Sequence, residues 1–146
     1  MRRLAIFTLL LAVTAGCGDR PTLSQVTGIL REDGAALSRV ALDGKSAALS
    51  DDRAGCEPGT RRSVYALTGA LPATGDRAAA TAAVASALAA ELHRMGYQEG
   101  DNPEPRFGVN VSVVEKRSLG IVFTIAIRDR APEVQVSGRT GCLPAG

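Results

Sequence analysis

Leu119-Gly-Ile-Val-Phe-Thr-Ile-Ala-Ile127 sets one series of large apolar residues, Leu119, Ile121, Phe123, Ile125 and Ile127, against a second series, Gly120, Val122, Thr124 and Ala126. Side chains of a strand point alternately to its two faces, so this period of two collects the large residues on one side. Neighbouring runs repeat the pattern. Phe107, Val109, Val111 and Val113 alternate with Gly108, Asn110 and Ser112, and Val134 and Val136 alternate with Glu133, Gln135 and Ser137. The connections at Lys116-Arg117-Ser118 and Asp129-Arg130-Ala131-Pro132 are short, as an antiparallel meander requires. These runs predict an antiparallel sheet with one buried side.

Upstream, Arg61 to Thr68 contains Val64-Tyr65-Ala66-Leu67 and reads as a further strand, ended by Gly69 and Pro72. A helix follows. Asp76 is a suitable N-cap, and the alanine-rich run from Arg77 to Met95 has high helix propensity. Val84, Leu88, Leu92 and Met95 make one apolar stripe. Gly96 is placed for a left-handed residue beyond the helix end, with Tyr97 folding back on Leu92.

The first seventeen residues carry the localisation signal. Arg2 and Arg3 precede an apolar run from Leu4 to Val13, then Thr14-Ala15-Gly16-Cys17. As a helix that run is about 15 Å long, half of a bilayer core of roughly 30 Å, so it describes an export signal and not a span. Thr14-Ala15-Gly16-Cys17 resembles the lipobox of small bacterial lipoproteins, with Thr14 where Leu, Val or Ile is usual. The resemblance implies cleavage before Cys17, lipidation of Cys17 with palmitate-type acyl chains, and attachment to the bacterial cell membrane on its extracytoplasmic face. It implies no activity.

The formal net charge of +2 comes from Arg2 and Arg3. From Cys17 onward the chain is formally balanced, so no basic stripe for nucleic acid remains. With Cys17 assigned to the lipid, Cys56 and Cys142 are an even pair in an exported chain, and a structural disulfide is expected. There is no C-x-x-C spacing for redox catalysis. Bridging Cys56, just before the first strand, to Cys142, just after the last, requires those two strands to run antiparallel.

The aromatic residues beyond the signal, Tyr65, Tyr97, Phe107 and Phe123, all follow Cys56. The expected organisation is a signal peptide over 1–16, an anchor, tether and poorly defined segment over 17–55, and an α+β domain over 56–146. That domain is expected to be a four-stranded antiparallel sheet with one long helix packed across a face. Within the N-terminal segment, Leu23, Val26 and Leu30 suit a short helix stopping before Gly34. Asp43-Gly44, flanked by Val40, Leu42, Ala47 and Leu49, reads as a hairpin turn.

No catalytic, cofactor-binding or metal-ligating residue emerges. His93, the single histidine, falls opposite the apolar stripe and reads as solvated; zinc-protease spacing is absent. G-x-S-x-G, S-x-x-K and the phosphate-binding glycine patterns do not occur. Glu99, Asp101 and Glu104 with Asn102 lack calcium-loop spacing and read as a solvated loop. Asp51-Asp52 reads as an exposed turn, and Arg61-Arg62 as a charged strand edge. The sheet face away from the helix is expected to carry Val122, Thr124 and Ala126 with Asn110 and Ser112, and to be covered by residues 22–55, with a partner as the alternative occupant.

The functional expectation is a membrane-anchored, non-enzymatic binding or accessory module of unknown partner, attached through a lipid on Cys17. A small-ligand carrier using a sheet–helix cleft, or a small extracytoplasmic enzyme, is the alternative.

Overall fold

A computed structural model describes residues 20–73, 75–101 and 109–145. Cys17 and the export signal lie outside the described residues. So do Asn102, Glu104, Phe107 and Gly108.

Thr22 opens the first helix, α1 (Leu23–Leu37), through a reciprocal cap: its hydroxyl accepts from the Gln25 N–H, and its own N–H donates to the Gln25 side chain. Leu23, Val26, Leu30 and Leu37 are buried along one side of the helix. The helix runs through Gly34 and does not stop before it. A Cβ at Gly34 would lie 2.6 Å from the Tyr65 ring, so this glycine is there for close helix–sheet approach. Tyr65 completes the contact by donating its hydroxyl to the Gly34 carbonyl at 2.8 Å.

Strand β1 (Asp43–Asp52) pairs antiparallel with β2 (Thr60–Ala70). Asp43-Gly44 is not a hairpin turn. Gly44 has a φ of 56°, and the β1 register shifts between Asp43 and Ser46, so the pair marks an irregularity where the strand begins. Helix α2 (Arg77–Arg94) follows β2. Asp76 caps it by accepting from the Ala78 and Ala79 N–H groups, and Val84, Leu88 and Leu92 face the core. Gly96 takes a φ of 87°, and the Tyr97 N–H closes back on the Leu92 carbonyl at 3.0 Å.

The remaining strands are the two-residue β3 (Gln98–Glu99), then β4 (Val109–Lys116), β5 (Ile121–Arg128), β6 (Val134–Arg139) and the two-residue β7 (Leu143–Pro144). Among the described residues they form one seven-stranded antiparallel sheet in the order β1-β2-β6-β5-β4-β3, with β7 pairing the start of β2. The expected four strands and single helix are therefore corrected to seven strands and two helices. The difference lies mainly in residues 22–55, which supply α1 and β1. Their apolar residues are covered by elements far along the chain: α1 packs on β2, β6 and α2, and β1 pairs with β2.

Both helices lie on one face of the sheet. There Val26, Leu30, Leu88 and Leu92 meet Leu67, Phe123, Ile125 and Val136. Phe123 sits at the centre, edge-on to Tyr65 at 6.3 Å and to Tyr97 at 5.3 Å. Gly138 makes room for it, because a Cβ there would lie 2.4 Å from the Phe123 ring.

Cys56 and Cys142 are bridged, with Cα atoms 5.6 Å apart. β2 and β6, the strands that the bridge brackets, are antiparallel neighbours. Closing a loop with a sequence separation of 86 is worth about 4–5 kcal/mol in the chain-entropy model.

Candidate functional site

The sheet face opposite the helices is not consumed by the core. Cross-strand pairing assigns its residues. One row crosses five strands as Ala48, Ala66, Ser137, Thr124 and Val113. The next runs Ser46, Thr68, Gln135, Ala126 and Val111. A third runs Ser50, Val64, Arg139, Val122 and Glu115. With strands about 4.8 Å apart, this field is roughly 20 Å wide. The first two rows carry no charge. Charge enters toward the ends, at Asp52, Arg62, Arg139 and Glu115 on one side and Arg128 on the other.

Two expectations about this face are corrected. Residues 22–55 do not cover it, because α1 packs on the helical side and β1 extends the sheet sideways. Asn110 and Ser112 are not part of it. They pair with Ile127 and Ile125, whose side chains face the helices, while Val111 and Val113 turn outward. Val122, Thr124 and Ala126 do lie on the helix-free face, opposite residues of β6 that point the same way.

Asn110 and Ser112 instead line a cleft of about 270 Å³ between α2 and the sheet, with Ala85, Ser86, Ala89, Ile125 and Ile127. The alanines of α2 leave this gap, since they are too short to reach the sheet. Its walls are mostly apolar, with three short polar side chains. A second cleft, of about 320 Å³, opens beside α1 and is polar, with Ser24, Thr27, Arg31, Asp51 and Arg61 in its lining. At its edge the Thr27 and Ser63 hydroxyls lie 2.7 Å apart, and Ser63 donates to Asp51.

A buried polar cluster ties the helical layer together. Asp33 on α1 accepts from the Tyr97 hydroxyl at 2.8 Å and from the Lys116 ammonium at 3.0 Å. That ammonium also stands 4.5 Å from the centre of the Tyr97 ring. Burial, and then the hydrogen bond to Asp33, pushes the Tyr97 phenol well above its ordinary value. Tyr97 therefore stays protonated and donating. The three groups satisfy one another, which is the arrangement of a brace between α1, the end of α2 and β4.

The residues singled out from sequence are dispersed. His93 is exposed on α2, its Nδ1 3.2 Å from the Tyr97 carbonyl. Glu99 and Asp101 are exposed. Asp51-Asp52 is not a free turn: it ends β1, with Asp51 paired to Arg61 at 3.3 Å and Asp52 to Arg62 at 3.7 Å. The acidic partners of Arg61-Arg62 are thus on the neighbouring strand of the same chain. No cluster of three or more metal-ligating side chains occurs among the described residues. Asp33 and Lys116 were not singled out; they lie 83 residues apart, and no local pattern joins them. Compared with models of protein families, with curated proteins and with solved structures, the chain matches none.

Proposed function

We propose that this chain is a lipid-anchored, extracytoplasmic, non-enzymatic binding module that recognises its partner with the helix-free face of the sheet. The observation that carries the reading is the one-sided placement of both helices. Among the described residues it leaves two uncharged rows of Ala, Val, Ser, Thr and Gln without a helix over them, between charged ends. A flat surface of small residues with a polar rim suits a protein partner better than a small molecule, which binds in concave sites.

The anchor is read from Thr14-Ala15-Gly16-Cys17. No helix among the described residues is long and apolar enough to cross a membrane. Intact mass of protein extracted from membranes tests this part. The expected mass is that of residues 17–146 plus a diacylglyceryl group, with or without a third acyl chain. An unlipidated mass would contradict it.

A second reading, a carrier of small apolar ligands, is favoured by the cleft between α2 and the sheet. Under that reading Ser112→Phe, which fills the cleft, abolishes binding of a short-chain fatty acid; under the first it leaves partner binding intact.

A further inference from the structure

We infer that β1 pairs edge to edge with β1 of a second copy of this chain, antiparallel about a twofold axis at Ala48. The outer edge of β1 has no partner among the described residues, and nearly the whole strand is exposed. From Ser46 to Asp52 its register against β2 is regular. Its centre, Ser46-Ala47-Ala48-Leu49-Ser50, has no charge and no proline, so the usual devices that keep an edge from pairing are missing there.

The flanking charges choose the partner. A twofold axis perpendicular to the sheet keeps the helices of both copies on one face, and permits centring on a residue. Centring on Ala48 sets Ala47 opposite Leu49, Ser46 opposite Ser50, and Lys45 opposite Asp51, each twice. Centring on Ala47 would set Lys45 opposite Leu49 and leave Asp51 facing the irregular start of the strand, with no cation to meet it. Centring on Leu49 would set Lys45 opposite Arg53. Only the Ala48 register among these three opposes unlike charges. Both groups retain capacity for the contact. The Lys45 ammonium has three donors and donates to the Ser38 and Val40 carbonyls. The Asp51 carboxylate accepts from Ser63 and pairs with Arg61, which leaves acceptor sites free.

Pairing in this register joins the two sheets into one and places their helix-free faces side by side. This inference does not depend on what that face binds. A contact of one strand with one strand is small, below the size of standard interfaces, so the dimer is a weak one that forms at raised concentration.

Sedimentation velocity of the full chain in detergent, over a concentration series, tests the inference with two variants. Ala48 is exposed, so Ala48→Lys and Ala48→Glu leave the fold intact, which thermal unfolding checks. Each variant puts like charges directly opposite across the axis, and each is expected to weaken self-association about fivefold. An equimolar mixture of the two is expected to restore association to the parent level or beyond. A parent chain that stays monomeric throughout, or a dimer indifferent to charge at position 48, would overturn the inference.

Discussion

The Tyr97 hydroxyl donates to the Asp33 carboxylate at 2.8 Å, joining the chain just beyond α2 to the last turns of α1 beneath the protein surface. Asp33 is 9% exposed and Tyr97 1%. Neither could be placed there alone, because a buried carboxylate needs donors and a buried phenol needs an acceptor.

Tyr97→Phe removes one of the two side-chain donors to Asp33 among the described residues and keeps the ring against Phe123. The cost of leaving a buried acceptor underused is about 1–3 kcal/mol. Chemical denaturation is expected to show a lower midpoint with an unchanged slope. A midpoint equal to that of the parent would mean that Lys116 and water suffice for Asp33.

Gly138→Ala tests the packing around the central ring. The added Cβ would lie 2.4 Å from Phe123 and 2.8 Å from Leu30, both within the core. Overpacking of this kind costs about 1–3 kcal/mol, and a clash this close belongs at the upper end. Gly28→Ala is the control: nothing lies within 4 Å of a Cβ there, and better helix propensity is expected to leave stability equal or slightly higher.

Glu133 supplies a pH dependence. Its carboxylate accepts from Arg77 at 2.6 Å and from the Leu71 N–H at 2.8 Å, tying the start of α2 to the start of β6. The hydrogen bond from Arg77, then that from Leu71, holds its carboxyl below the ordinary range. The stabilisation is therefore fully present above about pH 4.3, the unfolded-chain value, and is lost as pH falls through the lower folded value. Thermal midpoints of the parent are expected to drop over that acid interval. Glu133→Gln is expected to lower the midpoint at neutral pH and to flatten its acid dependence. Parallel pH profiles for the two proteins would contradict this assignment.

Legibility from sequence followed side-chain size. The Asp76 cap, the Val84–Leu88–Leu92 stripe and the Gly96–Tyr97 helix end are local signals made of distinctive residues, and α2 has each of them. The start of α1 is legible in the same way, from the spacing of Leu23, Val26 and Leu30 beside the Thr22 cap, but its far end and β1 are not. Gly34 reads as a helix stop, yet it is interior to α1 because the Tyr65 ring, far along the chain, occupies the space of its Cβ. β1 is an edge strand exposed along most of its length, with Leu49 its one large apolar residue against the core, so it has little alternation to read. β4 shows the reverse difficulty. Its period of two is visible, but its phase is set by pairing with β5, which puts Asn110, Ser112 and Val114 on the helix-covered face and turns Val109, Val111 and Val113 outward. The helix-free face was therefore only partly legible: Val122, Thr124 and Ala126 could be placed on it, and the β4 contribution could not.

Site-specific photocrosslinking in intact cells tests the central claim most directly. A photoreactive phenylalanine analogue would be placed at Thr124 or Val113 on the helix-free face, and at Ala83 on the exposed side of α2. One adduct of the same partner is expected from Thr124 and Val113, none from Ala83, and loss of that adduct when Ala66→Arg puts a charge into the uncharged rows. No adduct from either sheet position, or the same adduct from Ala83, would contradict it.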